Sequence, residues 1–116
     1  MERKIRLMII DDSAVYRNWL ITQLSKDEHL EIIGYATDAF DARKKIPNLL
    51  YDITEDSFFF DLILLDIEMP GMSGLDFLKE LLPRHPLPVI LVSSLNIKVF
   101  DALAAGAVDF VRKPDM

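Results

Sequence analysis

Five side chains stand where short apolar runs give way to polar residues. Asp11 and Asp12 follow IRLMII (5–10), Asp66 follows DLILL (61–65), Ser93 follows PVILV (88–92) and Lys113 lies just beyond VDFV (108–111). If these runs are strands of one sheet, the polar groups gather at its carboxyl edge. Three carboxylates in contact repel one another, since like charges roughly 4 Å apart cost about 4 kcal/mol at an effective dielectric of about 20. Lys113 supplies one compensating charge, and a hard divalent cation with oxygen ligands supplies two more. Mg2+ suits such a site because it binds through one or two carboxylates completed by water and phosphate oxygens. A carboxylate beside Mg2+ and an ammonium is equipped for phosphoryl transfer. Asp66 would attack phosphorus, the metal and Lys113 would neutralise the transferred oxygens, and Ser93 would donate a hydrogen bond. The product is an aspartyl phosphate. Taken singly, each acid reads equally well as a solvated loop residue, and it is their joint placement that favours a site.

The elements that must position them follow from hydrophobic periodicity. IRLMII is a strand buried on both faces, and Ser13 caps a helix over 14–24 with Val15, Trp19, Leu20 and Leu24 on its apolar side. LEIIGYA (30–36) is a second strand, and DAFDARKKI (38–46) returns to helical spacing until Pro47 breaks or kinks it. DLILLD (61–66) is the third strand. The loop MPGMSG (69–74) leads into a helix over 75–82, and PVILV is the fourth strand. VFDALAA (99–105) is a helix stopped by Gly106, and VDFV is the fifth strand. Strands alternating with helices imply right-handed βαβ units and a mostly parallel, doubly wound α/β sheet. Ligands in such sheets lie beyond the carboxyl ends of the strands. The second strand ends in Ala36-Thr37 and offers no chemical group, as an edge strand would.

Composition narrows the function classes. The 116 residues suit one domain, and 51% hydrophobic with 28% charged residues suffices for a core. A net charge of −6 and a pI near 4.8 have the wrong sign for phosphate-backbone contact, so no direct nucleic acid contact is expected. The absence of cysteine removes disulfides, thiolate catalysis and sulfur-ligated zinc, and favours the cytoplasm. No apolar run approaches the ~20 residues of a membrane span, and residues 1–6 do not form an apolar signal segment, so neither membrane insertion nor secretion is expected.

The segments DDS (11–13), LLDIEMPGMSGLDFL (64–78), PVILVSSL (88–95) and AGAVDFVRKP (105–114) resemble the receiver domain of two-component response regulators over nearly the whole chain. Within that family, EMPGMSGLDFL, VSSL and GAVDFVRKP are similar to the receiver half of chemotaxis methylesterases (CheB-like), which act on chemoreceptor glutamates. The resemblance implies a flavodoxin/CheY-like sheet of five parallel strands in the order 2-1-3-4-5. It implies Asp66 as phosphoacceptor, Asp11 and Asp12 as the acidic metal pair, and the backbone carbonyl of Glu68 as a further Mg2+ ligand. Ser93 matches the hydroxyl switch residue, and Phe110 the switch aromatic, which read plainly is a core aromatic on a strand. Lys113 matches the phosphoryl-contacting lysine, with a cis Lys113-Pro114 bond. The implied partners are a histidine kinase (CheA-like) as phosphodonor and a C-terminal output domain or partner protein. No G-x-S-x-G is present and neither histidine is placed to activate a serine, so methylesterase activity would need a further domain.

Two features depart from the family pattern. The stretch from Asn48 to Phe60 is longer than the usual ~2–6 residue helix-to-strand connection. Part of it could be helical, and Phe58, Phe59 and Phe60 read as the start of the third strand, with core packing favoured over an exposed patch. The chain also stops at Met116, where a fifth helix would follow. Either residues 1–116 are a receiver domain excerpted from a longer chain, or the uncovered sheet face drives homodimerisation. The Glu68 carboxylate either reaches the phosphoryl group or its attacking water, altering phosphate lifetime, or is an exposed loop acid. His29 and His85 read as surface residues, and the methionines as fillers of core gaps and loops. Two other functions compete with the receiver. A haloacid-dehalogenase-like phosphatase would show D-x-D near the first strand, where adjacent acids stand instead. A pseudo-receiver used only for contacts would not need the acid, hydroxyl and lysine set.

Overall fold

Leu7 to Ile10 are buried without alternation, which a strand can sustain only at the centre of a sheet covered on both faces. The computed structural model describes residues 4–49, 51–52, 57–58, 60–95 and 99–114. In it β1 (Ile5–Ile10) lies between β2 (Leu30–Ala36) and β5 (Leu62–Asp66). β6 (Val89–Ser93) pairs with β5, and β7 (Asp109–Arg112) forms the other edge. All four pairings are parallel, so the main strands stand in the order 2-1-3-4-5. Two short strands, β3 (Tyr51–Asp52) and β4 (Ser57–Phe58), make a separate antiparallel pair.

The helices start where the sequence offers caps. Ser13 Oγ accepts the Tyr16 N–H at 3.1 Å to open α1 (Ala14–Leu24), and Ser73 Oγ accepts the Asp76 N–H at 3.2 Å to open α3 (Gly74–Leu81). α2 (Ala39–Leu49) begins beside Asp38, whose Oδ1 accepts the Asp41 N–H at 2.8 Å. α4 (Val99–Ala104) ends before Gly106, which takes φ 102° and lets Ala107 N–H reach back to the Ala102 carbonyl at 3.2 Å. Gly74 is required for a different reason. A Cβ there would run into the backbone carbonyl of Asp66, so only glycine lets α3 begin directly against the end of β5.

The main core lies on one face of the sheet. Met8, Ile10, Ile63, Leu65, Val89 and Leu91 project there against Ala42 and Ile46 of α2, Phe77, Leu78 and Leu81 of α3, and Ala102 of α4. Leu7, Ile9 and Val92 are buried on the opposite face, where α1 packs against β2. Val111, at the β7 edge, is exposed. Among the described residues β7 is the last element.

Three expectations are revised. Val15 is 71% exposed and Trp19 38%, because α1 turns Tyr16, Leu20 and Leu24 inward at four-residue spacing and carries Val15 off that face. Pro47 does not end α2, which continues to Leu49, since a proline in the last turn forfeits a single helical hydrogen bond. The stretch from Asn48 to Phe60 holds the last two residues of α2, so part of it is helical as expected, and then the β3–β4 pair, so Phe58 belongs to that pair and not to the third strand. Phe60 is fully buried in the core, and Phe59 lies outside the described residues.

Candidate functional site

Strand order and register bring the site together. Asp11 follows β1, Asp66 ends β5, Ser93 ends β6 and Lys113 follows β7. Asp66 stands opposite Val92, and Ser93 opposite Arg112. The Ile67 N–H bonds to the Val92 carbonyl at 3.0 Å and the Lys113 N–H to the Ser93 carbonyl at 2.7 Å, so four carboxyl ends form one continuous row. The chain reverses direction across the sheet between β1 and β5, which opens a crevice at the carboxylates.

Asp11, Asp12 and Asp66 each offer an oxygen within 4.8 Å of the others, with Asp11 and Asp66 buried and Asp12 exposed. Lys113 Nζ lies 2.8 Å from Asp11 Oδ2 and 3.3 Å from Asp66 Oδ1. Asp11 Oδ1 is held by the Ser13 N–H at 2.9 Å, and Asp66 Oδ1 also faces the Glu68 N–H at 3.3 Å. Asp66 Oδ2 is buried and has no hydrogen-bond partner among the described residues. Burial, and then the charge of Asp11, push the Asp66 carboxyl up to about 7, with Lys113 acting in the opposite direction. Burial also works against the Lys113 charge, yet its hydrogen bond to Asp11 and the charges of Asp66 and Asp11 outweigh that, and its pKa is raised.

A buried oxygen without a donor, beside two further carboxylates, lacks positive partners that one lysine does not fully supply. Oxygen-only donors with one open, exposed member match a hard divalent cation that keeps several waters.

Ser93 is placed beside Asp66 but is engaged elsewhere. Its hydroxyl donates to Glu68 Oε1 at 2.5 Å, and Glu68 accepts further hydrogen bonds from Ser94 and Leu95. Burial disfavours the Glu68 charge, but these bonds outweigh it and hold the carboxyl below its ordinary value. The Glu68 carboxylate is thus a bonded member of the site and not a free loop acid. Phe110, in the middle of β7 opposite Leu91, is half-buried against the core.

The expected cis bond is corrected. Among the described residues no peptide bond is cis, so Lys113-Pro114 is trans. Lys113 reaches both carboxylates from a trans bond, the isomer that X-Pro bonds favour by roughly 0.5–1 kcal/mol. His29 is exposed and pairs with Asp27 at 3.0 Å, whereas His85 is half-buried beside Arg43 and Glu80 rather than on the open surface.

Sequence reasoning missed two groups here. Tyr16 places its ring under Lys113, with Nζ 4.4 Å from the centroid, and burial is the main reason its phenol pKa is raised. Arg17 donates to the Asp11 carbonyl at 2.6 Å and lies over the Tyr35 ring at 4.7 Å. The four-residue spacing of Tyr16 with Leu20 and Leu24 was the available signal for the first. Nothing in the local sequence marked the second.

Comparison with known proteins agrees with this architecture. The family model for the response regulator receiver domain matches residues 7–116. A protein-glutamate methylesterase/protein-glutamine glutaminase of Syntrophomonas wolfei is 46% identical over 114 residues, covering 98% of this chain and 31% of that protein. The chain therefore spans about a third of the length of the curated relatives it matches. The response regulator domain of Thermotoga maritima CheB superposes with a TM-score of 0.81 at 35% identity, covering 97% of this chain and 80% of that one. The CheX–CheY complex of Borrelia burgdorferi with BeF3 and Mg2+ matches with a TM-score of 0.78 at 31% identity, covering 98% of this chain and 81% of that one.

Proposed function

We propose that this chain, which belongs to the response regulator receiver domain family and is of the chemotaxis, CheB-like type, accepts a phosphoryl group on Asp66 and carries it as a signal. The observation that carries the proposal is Asp66 Oδ2, a buried carboxylate oxygen without a hydrogen-bond donor, next to an ammonium and two further carboxylates. The donor is a phosphohistidine of a chemotaxis-type histidine kinase. The Asp66 oxygen attacks phosphorus, the bond from phosphorus to the donor nitrogen breaks, and the imidazole leaves with the electron pair. Lys113 neutralises charge on the transferred oxygens from its place between Asp11 and Asp66.

Asp11, Asp12, Asp66 and the Glu68 backbone carbonyl would hold Mg2+, which when bound supplies Lewis-acid neutralisation of the phosphoryl oxygens. The relative solved with BeF3 and Mg2+ supports this choice of ion. Ser93 would turn its hydroxyl to the phosphoryl group, and Phe110 would report the change by repacking on the outer side of β7. Residues 1–116 would be the receiver part of a longer, cytoplasmic protein whose output is a C-terminal methylesterase domain. If the part acts alone, the uncovered sheet face that carries the exposed Val111 is where a second copy would pack.

The test is the intact mass after incubation with acetyl phosphate and Mg2+. The wild type gains one phosphoryl group and Asp66→Asn gains none. Retention of the added mass in Asp66→Asn removes the assigned nucleophile, and no gain in the wild type revives the contact-only alternative.

A further inference from the structure

Ser93 ends β6 next to Asp66, yet its hydroxyl is spent on a different anion. Glu68 Oε1 accepts from Ser93 Oγ at 2.5 Å and from Ser94 N–H, Ser94 Oγ and Leu95 N–H, each at 3.1 Å. One carboxylate oxygen thus collects every donor that three consecutive residues present on this side of the site. The arrangement is closed further by the Leu95 N–H, which also reaches Ser93 Oγ at 3.0 Å. The second oxygen, Oε2, is buried and has no partner among the described residues, which hold the carboxylate by its other end.

Four donors converging on one point form an oxyanion cradle, and charge-assisted hydrogen bonds of this kind are roughly twice as strong as neutral ones. A phosphoryl group on Asp66, two residues from Glu68, would need the same Ser93 hydroxyl. Two anions cannot share it, since like charges brought to one donor repel each other strongly in a poorly solvated site.

We propose that Glu68 is a tethered anion that occupies the Ser93–Leu95 donor cradle before phosphorylation and must vacate it when the phosphoryl group arrives. It is a positioning residue that acts on Asp66 through Ser93. This rests on the reading of Asp66 as phosphoacceptor. The exchange makes no covalent bond of its own: the hydrogen bonds from Ser93 and its neighbours pass from a carboxylate oxygen to a phosphoryl oxygen. While Glu68 holds Ser93, the hydroxyl is withheld from the transition state, and the carboxylate sets a threshold for accepting a phosphoryl group.

The test follows phosphoryl incorporation from acetyl phosphate with Mg2+ in the wild type, Glu68→Ala, Glu68→Gln and Asp66→Asn. The backbone amide shifts of Ser94 and Leu95 are read separately, without phosphodonor or metal. Freeing the cradle raises the incorporation rate in Glu68→Ala about tenfold. Glu68→Gln, which keeps an acceptor oxygen of the same reach but loses the charge, falls between Ala and wild type. The Ser94 and Leu95 amide protons move upfield in Glu68→Ala even with nothing bound, because they lose a charged acceptor. A Glu68→Ala rate equal to or below that of the wild type overturns the proposal, as do unmoved amides. Equal acceleration by Gln and Ala also overturns it, since repulsion of the donor would then be the whole effect. Incorporation by Asp66→Asn, or none by the wild type, defeats the phosphoacceptor reading itself and is told apart by the amide shifts.

Discussion

Replacing Asp66 with asparagine should stabilise the metal-free protein, by an amount that depends on pH. In the folded state the Asp66 carboxyl titrates at about 7 instead of 3.8, because burial and then the charge of Asp11 oppose its ionisation more than Lys113 favours it. The folded chain therefore keeps a proton on Asp66 between those pH values after the unfolded chain has lost it. A folded state that binds more protons loses stability as pH rises. Below the unfolded value neither state is ionised and the site has no cost. Each pH unit above it removes about 1.4 kcal/mol, which accumulates to about 4 kcal/mol by neutral pH. Asparagine has no such titration, and Lys113 keeps its 2.8 Å contact with Asp11 in the mutant. Urea unfolding of both proteins, followed by far-ultraviolet circular dichroism from pH 4 to pH 8 in a chelator, should give near-equal stabilities at the acid end. At the alkaline end the mutant should be ahead by about 2–4 kcal/mol. Added Mg2+ should close that gap by stabilising the wild type more than the mutant. Two parallel stability curves across this range would show that the buried carboxylate carries no ionisation cost and would refute the electrostatic reasoning.

Two further outcomes follow from contacts around the same residues. Tyr16→Leu should slow phosphoryl incorporation about threefold to tenfold by removing a cation–π contact of about 0.7–1.4 kcal/mol under Lys113, whereas Tyr16→Phe, which keeps the ring, should stay within about twofold of wild type. Gly74→Ala should destabilise the fold by about 2 kcal/mol or more in thermal or urea unfolding, because its Cβ meets the Asp66 carbonyl and must push α3 away from β5.

Much of the architecture was legible because local patterns carry it. IRLMII, DLILLD and PVILV read as short buried strands, and Ser13 and Gly106 mark helix ends by side-chain chemistry or a missing Cβ, whereas the Ser73 cap of α3 emerged only in the structure. Where local signals compete, the packing decided. The apolar residues of α1 fit more than one face, and burial of Tyr16 selected the one that leaves Val15 in solvent. Pro47 costs one hydrogen bond, and the helix continued past it.

The same division holds at the site. Residue types at strand ends were enough to nominate Asp11, Asp12, Asp66, Ser93 and Lys113, because acids, a hydroxyl and an amine at the carboxyl edge of a parallel sheet must converge once the strands are neighbours. Which of them touch depended on register and rotamer, which sequence spacing does not encode. Ser93 and Glu68 are twenty-five residues apart and bond, and Tyr16 and Lys113 meet from opposite ends of the chain. Chemical capacity is a property of side chains and is written in their order. The partner each one takes is a property of distances between remote segments, and those distances exist only after the strands have stacked side by side.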